Sequence, residues 1–538
     1  MVGRMRRGAH PCKAGTRAMS DRVIHEAVAR HAVERPYAPA LVYRGRPVSF
    51  RTLDAAADAF ATRLAAQGVT RGDLIPVLMF RTPQTVALQL GILKCGAAYT
   101  SLDRRWPRDR IEKLLRWIRP RLSAVPAGSA EAEAWNRPVF AVPDEDLHEV
   151  AAGARKSVAV PVAPHDPATV FFTSGTTGVP KGVVAPHAAV TRLFGHGGLP
   201  GFGPGHVMPQ AASPAWDMYA FEVWGPLTSG ATSVVTDSDY LLPDDLRRAV
   251  GELGVTTLFL TTSLFNLMVD EDPGCFAGLG HVYIGGEKLS PRHVATFLRH
   301  HPRTPLFNGY GPAENTMFTT VHRIRPEDCL IPGGIPVGTA VPGTEVVLLG
   351  RDGNRCPPGT VGEIWITGQG LATGYLHDPE HTRQQFRMIG VNGQLVRAYR
   401  TGDLGLTDEH GTLHFRGRAD RQLKIRGHRV EPGEVENAAF DVPGVHNCVV
   451  VPIDDQDGTV TGLALFYLCE EGNATDEPDP RGVQEHLART LPSYLVPAVV
   501  RVLDCFPLTA NGKLDRVVLG RLAHRFPPTG RRPGPAGP

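Results

Sequence analysis

The sequence has no Cys-x-x-Cys pair, and its eight cysteines lie scattered through 538 residues. Neither a disulfide framework nor a zinc site is expected from that spacing, and a reducing cytosol is the expected compartment. No stretch approaches the roughly 18 uninterrupted apolar residues of a bilayer-crossing helix. No apolar run of about 7–15 residues follows the basic start either, as a secretory leader would require. Strong net charge is also lacking. The balance is only +3, and the excess sits in residues 1–18, where Arg4, Arg6, Arg7, Lys13 and Arg17 meet no acid. The rest of the chain is therefore slightly acidic and offers no basic face to a nucleic acid. Residues 1–18 read as a flexible basic tail or as an over-long start with Met19 as initiator. No repeat of 20–50 residues is visible, and the one biased segment is the Pro/Gly/Arg-rich tail, so residues 526–538 are expected to be disordered.

What remains is an ordinary globular composition, 42% apolar and 21% charged, long enough for two to four folding units at roughly 100–200 residues each. Leu53, Ala57, Phe60 and Leu64 have helical spacing between Ser49/Thr52 and Gly68. Short apolar runs at 74–80, 255–260 and 282–284 alternate with helical stretches at 83–94 and 107–117, which predicts an α/β architecture. In the last quarter, residues 446–453, 463–468 and 499–503 read as strands and 481–491 as a helix, the texture of a small α+β domain. The polar run 416–424 marks the boundary, with a hinge near Asp420. The expected division is 19–419 for a main body and 420–525 for a C-terminal domain.

Five clusters carry residue types suited to chemistry. Thr173-Ser174-Gly175-Thr176-Thr177-Gly178-Val179-Pro180-Lys181-Gly182 follows the apolar Val170-Phe171-Phe172. Hydroxyls and glycine N–H groups at a strand end can surround a polyphosphate, with Lys181 as a point charge; a plain surface loop fits the same residues. The Gly-x4-Gly-Lys-Ser/Thr spacing is absent, so this is not a Walker loop and a P-loop ATPase is disfavoured. Asn308-Gly309-Tyr310-Gly311-Pro312-Ala313-Glu314 offers a ring for a base and a carboxylate for magnesium, or is a simple turn. Tyr399-Arg400-Thr401-Gly402-Asp403 sets a carboxylate where it can accept from ribose hydroxyls, or where it caps its own turn. The charges of 417–427 are too dense for a core and suit a solvated strand edge equally well. In 507–516 the Asn511-Gly512 turn would place Lys513 at a protruding tip, solubilising unless that tip enters a cleft.

In this order, the five clusters resemble the AMP-forming adenylating enzymes, above all the amino-acid adenylation domains of nonribosomal peptide synthetases. The likeness runs from about His25 to Arg516. Leu93-Lys94-Cys95-Gly96-Ala97-Ala98-Tyr99, Gly362-Glu363-Ile364, Gly374-Tyr375 and Leu491-Pro492-Ser493-Tyr494 extend it. The resemblance implies a large N-terminal α/β domain with a small β-barrel-like subdomain, and a small mobile α+β lid that turns about Asp420 between an adenylating and a thioester-forming pose. It further implies ATP and Mg2+ as cofactors. Thr173, Ser174, Gly175, Thr176, Thr177 and Lys181 would hold phosphates, Glu314 the metal, Asp403 and Arg418 the ribose, Asn308 and Tyr310 the adenine. Lys513 would be the catalytic cation joining carboxylate to AMP. Ala313 stands where the family usually has Thr, which removes a hydroxyl from the α-phosphate site.

In the segment Ala215-Trp216-Asp217-Met218-Tyr219-Ala220-Phe221-Glu222 the resemblance makes Asp217 the partner of an α-ammonium group. Without the alignment, it is a surface Asp at a helix start. The side-chain pocket falls on Met218, Phe221, Phe259, Tyr283, Gly285, Gly309, Met317 and Phe318, none charged and six bulky, which suits a small apolar amino acid such as alanine, valine or glycine. A roomy aromatic slot is the alternative. The implied acceptor is phosphopantetheine on a discrete carrier protein, approaching past Gly427 and residues 429–436, in the manner of antibiotic biosynthesis. The chain is expected to be a monomer without membrane or nucleic-acid partners. An acyl-CoA ligase and a non-catalytic carrier-docking module are the competing readings.

Overall fold

The computed structural model describes residues 23–131, 137–154, 160–174, 180–195, 197–238, 241–455, 459–469, 478–507, 514–526 and 529. The basic tail, Met19 and most of 526–538 lie outside these residues.

The N-terminal helix-forming patterns fold where their caps place them. Ser49 accepts from the Thr52 N–H and starts the helix Phe50–Ala66. Thr82 accepts from Thr85 N–H, and Pro83 opens the helix Pro83–Lys94. The first packs on the second, and the second on a seven-stranded sheet ordered Gly374–Tyr375, Lys181–Pro186, Pro167–Thr173, Ala98–Ser101, Leu74–Val77, Ser123–Pro126 and Val139–Val142. Its central strands run parallel, and Leu74–Val77 is buried from Ile75 onward, which explains why the sequence there shows an apolar run without alternation. A second sheet sets Thr257–Thr261, His281–Gly285 and Leu306–Tyr310 side by side in parallel and then adds Thr320–Arg323 and Thr339–Ala340 antiparallel. A third joins Arg46–Ser49, Pro39–Tyr43, Thr232–Val235 and Val207–Gln210. The small β subdomain is an antiparallel five-stranded sheet, with Gln394–Thr407 as its hub between Gly362–Gly368, Phe386–Val391 and Leu413–Arg418.

After Asp420 come a short hairpin, Leu423–Ile425 with His428–Val430, and a three-stranded sheet of Val445–Asp454, Val460–Cys469 and Val499–Val502. The helices Pro432–Phe440, Pro480–Thr490 and Arg516–Arg525 cover it. This part has its own apolar cores, one around Val450, Leu465 and Leu487 and one around Val451, Phe466 and Leu519. A large α/β body with a small α+β C-terminal part is therefore the observed architecture. The predicted elements are found with their ends shifted by one to three residues, within the ordinary fraying of helix and strand termini.

Candidate active site

A cavity of about 700 Å3 lies between the body and the C-terminal part. It sits beyond the carboxyl end of the parallel strand Leu306–Tyr310, the usual ligand position in open α/β sheets.

Thr173 ends one strand of a hairpin and pairs in register with Lys181 on the next. Gly175, Thr176 and Thr177 lie outside the described residues. The Thr173 hydroxyl is buried without a hydrogen-bond partner and lines the cavity, so it is available to an incoming polar group. Ser174 Oγ instead donates to the Arg429 carbonyl at 2.6 Å. Burial lowers the Lys181 pKa, and the neighbouring Arg429 adds to the effect.

Asn308, Tyr310, Asp403 and Arg418 come from two sheets and meet at one wall. Tyr310 Oη donates to Asp403 at 2.5 Å, and Arg418 pairs with the other Asp403 oxygen. Arg418 also spans Asp420 at 2.7 and 2.8 Å, tying the expected hinge to the body. Asn308 Nδ2 donates to the Pro336 carbonyl at 2.8 Å. Lys424 Nζ stands 5.6 Å from the Tyr310 ring centroid, a cation–π contact on the ring expected to meet adenine.

Asp217 opens the helix Asp217–Ser229 and is only 8% exposed, not the surface cap a sequence reading allows. Burial pushes its pKa up to about 6, against the pull of the Met218 N–H and with the help of Glu314. No salt-bridge partner meets it among the described residues, yet it lines the cavity. Of the side-chain pocket residues, Met218, Phe259, Gly309, Met317 and Phe318 line the same cavity. Phe221, Tyr283 and Gly285 do not; they form a layer behind. Phe221 packs on Phe318 with ring centroids 5.1 Å apart, and Tyr283 Oη is spent on the Pro200 carbonyl at 2.7 Å. The two glycines are spatial requirements. A Cβ on Gly285 would stand 2.2 Å from the Gly309 carbonyl oxygen, and one on Gly309 would stand 2.3 Å from the Phe318 ring.

The C-terminal part closes the cavity with its hairpin. Gly427, at φ +80°, donates its N–H to Glu287 at 3.0 Å, and a Cβ there would meet Thr261 at 2.8 Å and Trp216 at 3.2 Å. His428 stacks on Tyr494 with centroids 4.0 Å apart. Two ion pairs hold this pose. Arg110 donates to Glu434 at 2.8 Å, both side chains nearly fully buried. Arg429 Nη1 reaches both oxygens of Glu314 at 2.7 and 2.9 Å, while Tyr375 Oη adds 2.7 Å. Burial alone would raise the Glu314 pKa; Arg429 and Tyr375 outweigh it and leave it lowered. Lys513 lies outside the described residues. Its described neighbours Phe506 and Leu514 pack with Val451 and Phe466 and do not line the cavity.

Among the described residues no group of three or more His, Cys, Asp or Glu could hold a metal by itself. Magnesium beside phosphates needs only one or two protein carboxylates, so the buried Glu314 carboxylate, now held by Arg429, has the chemistry such a site would use. Sequence reasoning missed both ion pairs, because Arg110–Glu434 and Glu314–Arg429 join positions 324 and 115 residues apart and leave no local pattern.

The family model of AMP-binding enzymes matches residues 28–376, and that of the AMP-binding enzyme C-terminal domain matches 434–513. Malpibaldin synthetase of Mortierella alpina is 35% identical over 509 residues, 93% of this chain. Surfactin synthase subunit 3 of Bacillus subtilis (strain 168) is 33% identical over 90% of this chain. The chain spans only 9% and 37% of these two relatives. Among solved structures, holo-PA1221, an NRPS protein containing adenylation and PCP domains bound to a vinylsulfonamide inhibitor, superposes with a TM-score of 0.83. It is 33% identical, over 93% of this chain and 84% of that one. No helix of the described residues is long and apolar enough to cross a membrane. With both family models matched in order on a body and a C-terminal part that enclose one cavity, the chain belongs to the AMP-binding enzymes, in their nonribosomal peptide synthetase adenylation branch.

Proposed function

We propose that the protein joins ATP and a small apolar amino acid into an aminoacyl adenylate, and then passes the aminoacyl group to the phosphopantetheine thiol of a separate carrier protein. In the first step a carboxylate oxygen attacks the α-phosphorus and the bond to pyrophosphate breaks. In the second, the thiol sulfur attacks the carbonyl carbon, AMP departs and the thiol proton is lost.

The reading rests on Asp217: a buried carboxylate with a raised pKa, in no salt bridge among the described residues and facing a cavity, is what an α-ammonium group needs. Beyond it, Phe318 backed by Phe221 leaves little depth, which favours alanine, valine or glycine over larger side chains. Asp403 and Arg418 would orient the ribose, Asn308 and Tyr310 the base, and Thr173, Ser174 and Lys181 with residues 175–177 the phosphates. Glu314 would carry Mg2+, which when bound offsets phosphate charge. Lys513 would bridge carboxylate and α-phosphate, cancelling repulsion between two anions while alignment supplies much of the rate. Because Arg429 and Mg2+ compete for Glu314, the pose with the Gly427 hairpin inward belongs to the second step. Among the described residues, the Thr173 hydroxyl has no hydrogen-bond partner and Lys181 and Asp217 form no salt bridge in that pose.

ATP–pyrophosphate exchange across the amino acids, with hydroxy acids of matching side chain as controls, tests the first step. Exchange with small apolar amino acids and none with the hydroxy acids is expected. Exchange driven equally by hydroxy acids would defeat the role of Asp217. Loading of a carrier protein against free coenzyme A tests the second step.

A further inference from the structure

Behind the substrate cavity lies a second one, of about 420 Å3, bordered by Arg30, Phe194, Phe202, Thr228, Ser229 and the nearby glycines Gly195, Gly197, Gly198 and Gly203. Three rings in file separate the two. Phe318 faces the first cavity and packs on Phe221 at 5.1 Å between centroids; Phe221 packs on Phe202 at 5.2 Å; and Phe202 faces the second cavity.

Phe202 is built into its place. Helix Asp217–Ser229 carries a glycine at 225, where a Cβ would stand 2.7 Å from the Phe202 ring and 2.9 Å from that of Phe194. Phe194 packs against Phe202 from the side at 4.8 Å. The loop bearing Phe202 is fastened on both sides of the ring, by Thr257 Oγ1 donating to the Gly201 carbonyl at 2.7 Å, Tyr283 Oη to Pro200 at 2.7 Å, and Gly203 N–H to Ser229 Oγ at 3.1 Å. A ring seated in a notch and carried on a pinned loop resists displacement when something presses on it from the front.

We infer that Phe202 is a specificity-determining residue: it stops Phe221 and Phe318 from yielding, and so sets the depth available to the substrate side chain although it does not line the substrate cavity. The inference rests on the proposed amino-acid site, since it assumes that the side chain points at Phe318. Removing Phe221 alone leaves a dead-end hole closed by Phe202. Removing Phe202 alone leaves Phe318 and Phe221 standing. Removing both joins the cavities and gives a bulky side chain somewhere to go.

The test is a double-mutant cycle in substrate scope, read as pyrophosphate exchange with phenylalanine and leucine relative to alanine and valine in Phe202→Ala, Phe221→Ala and the pair. A single methylene in an apolar pocket is worth about 10–200-fold in discrimination. The pair should therefore raise the bulky-to-small ratio at least about tenfold beyond the product of the two single effects. Simple multiplication of the single effects overturns the inference, and so does a pair that still exchanges with alanine or valine but gains nothing with larger substrates. If the alanine pair does not bind ATP as the parent does, Phe202→Leu with Phe221→Leu is read by the same criterion on leucine and methionine. Failure of the parent protein to exchange with any small amino acid would instead count against the proposed substrate class.

Discussion

Asp217→Asn should make the protein more stable and nearly inactive at once. The folded-state pKa of about 6 lies well above the 3.8 of a free aspartate, chiefly through burial. The sign follows from that rise. The fold prefers the protonated acid, so the favourable contribution is complete below the unfolded pKa and is lost as pH climbs through the folded one. At pH 7 the ionised carboxylate therefore costs the substrate-free protein about 3 kcal/mol, at about 1.36 kcal/mol for each pH unit between the two pKa values. An asparagine of the same shape carries no such cost. In urea titrations the variant should gain up to about 3 kcal/mol at pH 7, about half of that at pH 5, and little near pH 4. Exchange with its amino acid should fall by about 10²–10³, since an ammonium would enter a buried site with no anion to meet it. The same charge balance makes the parent's affinity for the amino acid weaken as pH drops through 6. A variant that is destabilised equally at every pH, or that keeps normal exchange, would refute the reasoning.

Three further outcomes are expected. Lys513→Ala should slow adenylate formation on the order of 10²–10³-fold by analogy with loss of one preorganised charge donor, with ATP binding still measurable by calorimetry; normal exchange would remove Lys513 from the mechanism. Arg429→Ala strips Glu314 of its cation and should disfavour the observed placement of the C-terminal part by about 3–5 kcal/mol, the usual cost of a broken buried pair. Fluorescence energy transfer between the body and the C-terminal part should report the shift, and, on the proposed function, carrier loading should suffer more than exchange. Gly309→Ala pushes a methyl to within 2.3 Å of the Phe318 ring, an overpacking worth about 1–3 kcal/mol. The KM for the amino acid should rise while that for ATP changes little.

Much of this protein is legible in its sequence because the signals are local. The helix start at Ser49, the apolar runs of the parallel strands, and the change of texture after Asp420 are short-range consequences of backbone hydrogen bonding and burial, and they place the elements within a few residues. The ordered clusters from Thr173 to Arg516 likewise announce the family from sequence alone. Tertiary structure decided what those residues face. Whether Asp217 is a solvated helix cap or a buried, unpaired acid depends on what packs over it, and burial is a property of the whole fold. Phe221, Tyr283 and Gly285 fall in a second layer because ring packing, not spacing along the chain, determines which side chain reaches a cavity. The pairing of Arg429 with Glu314 and of Arg110 with Glu434 depends on how the C-terminal part sits on the body. Electrostatic partners fixed by domain orientation leave no periodicity for a sequence to display.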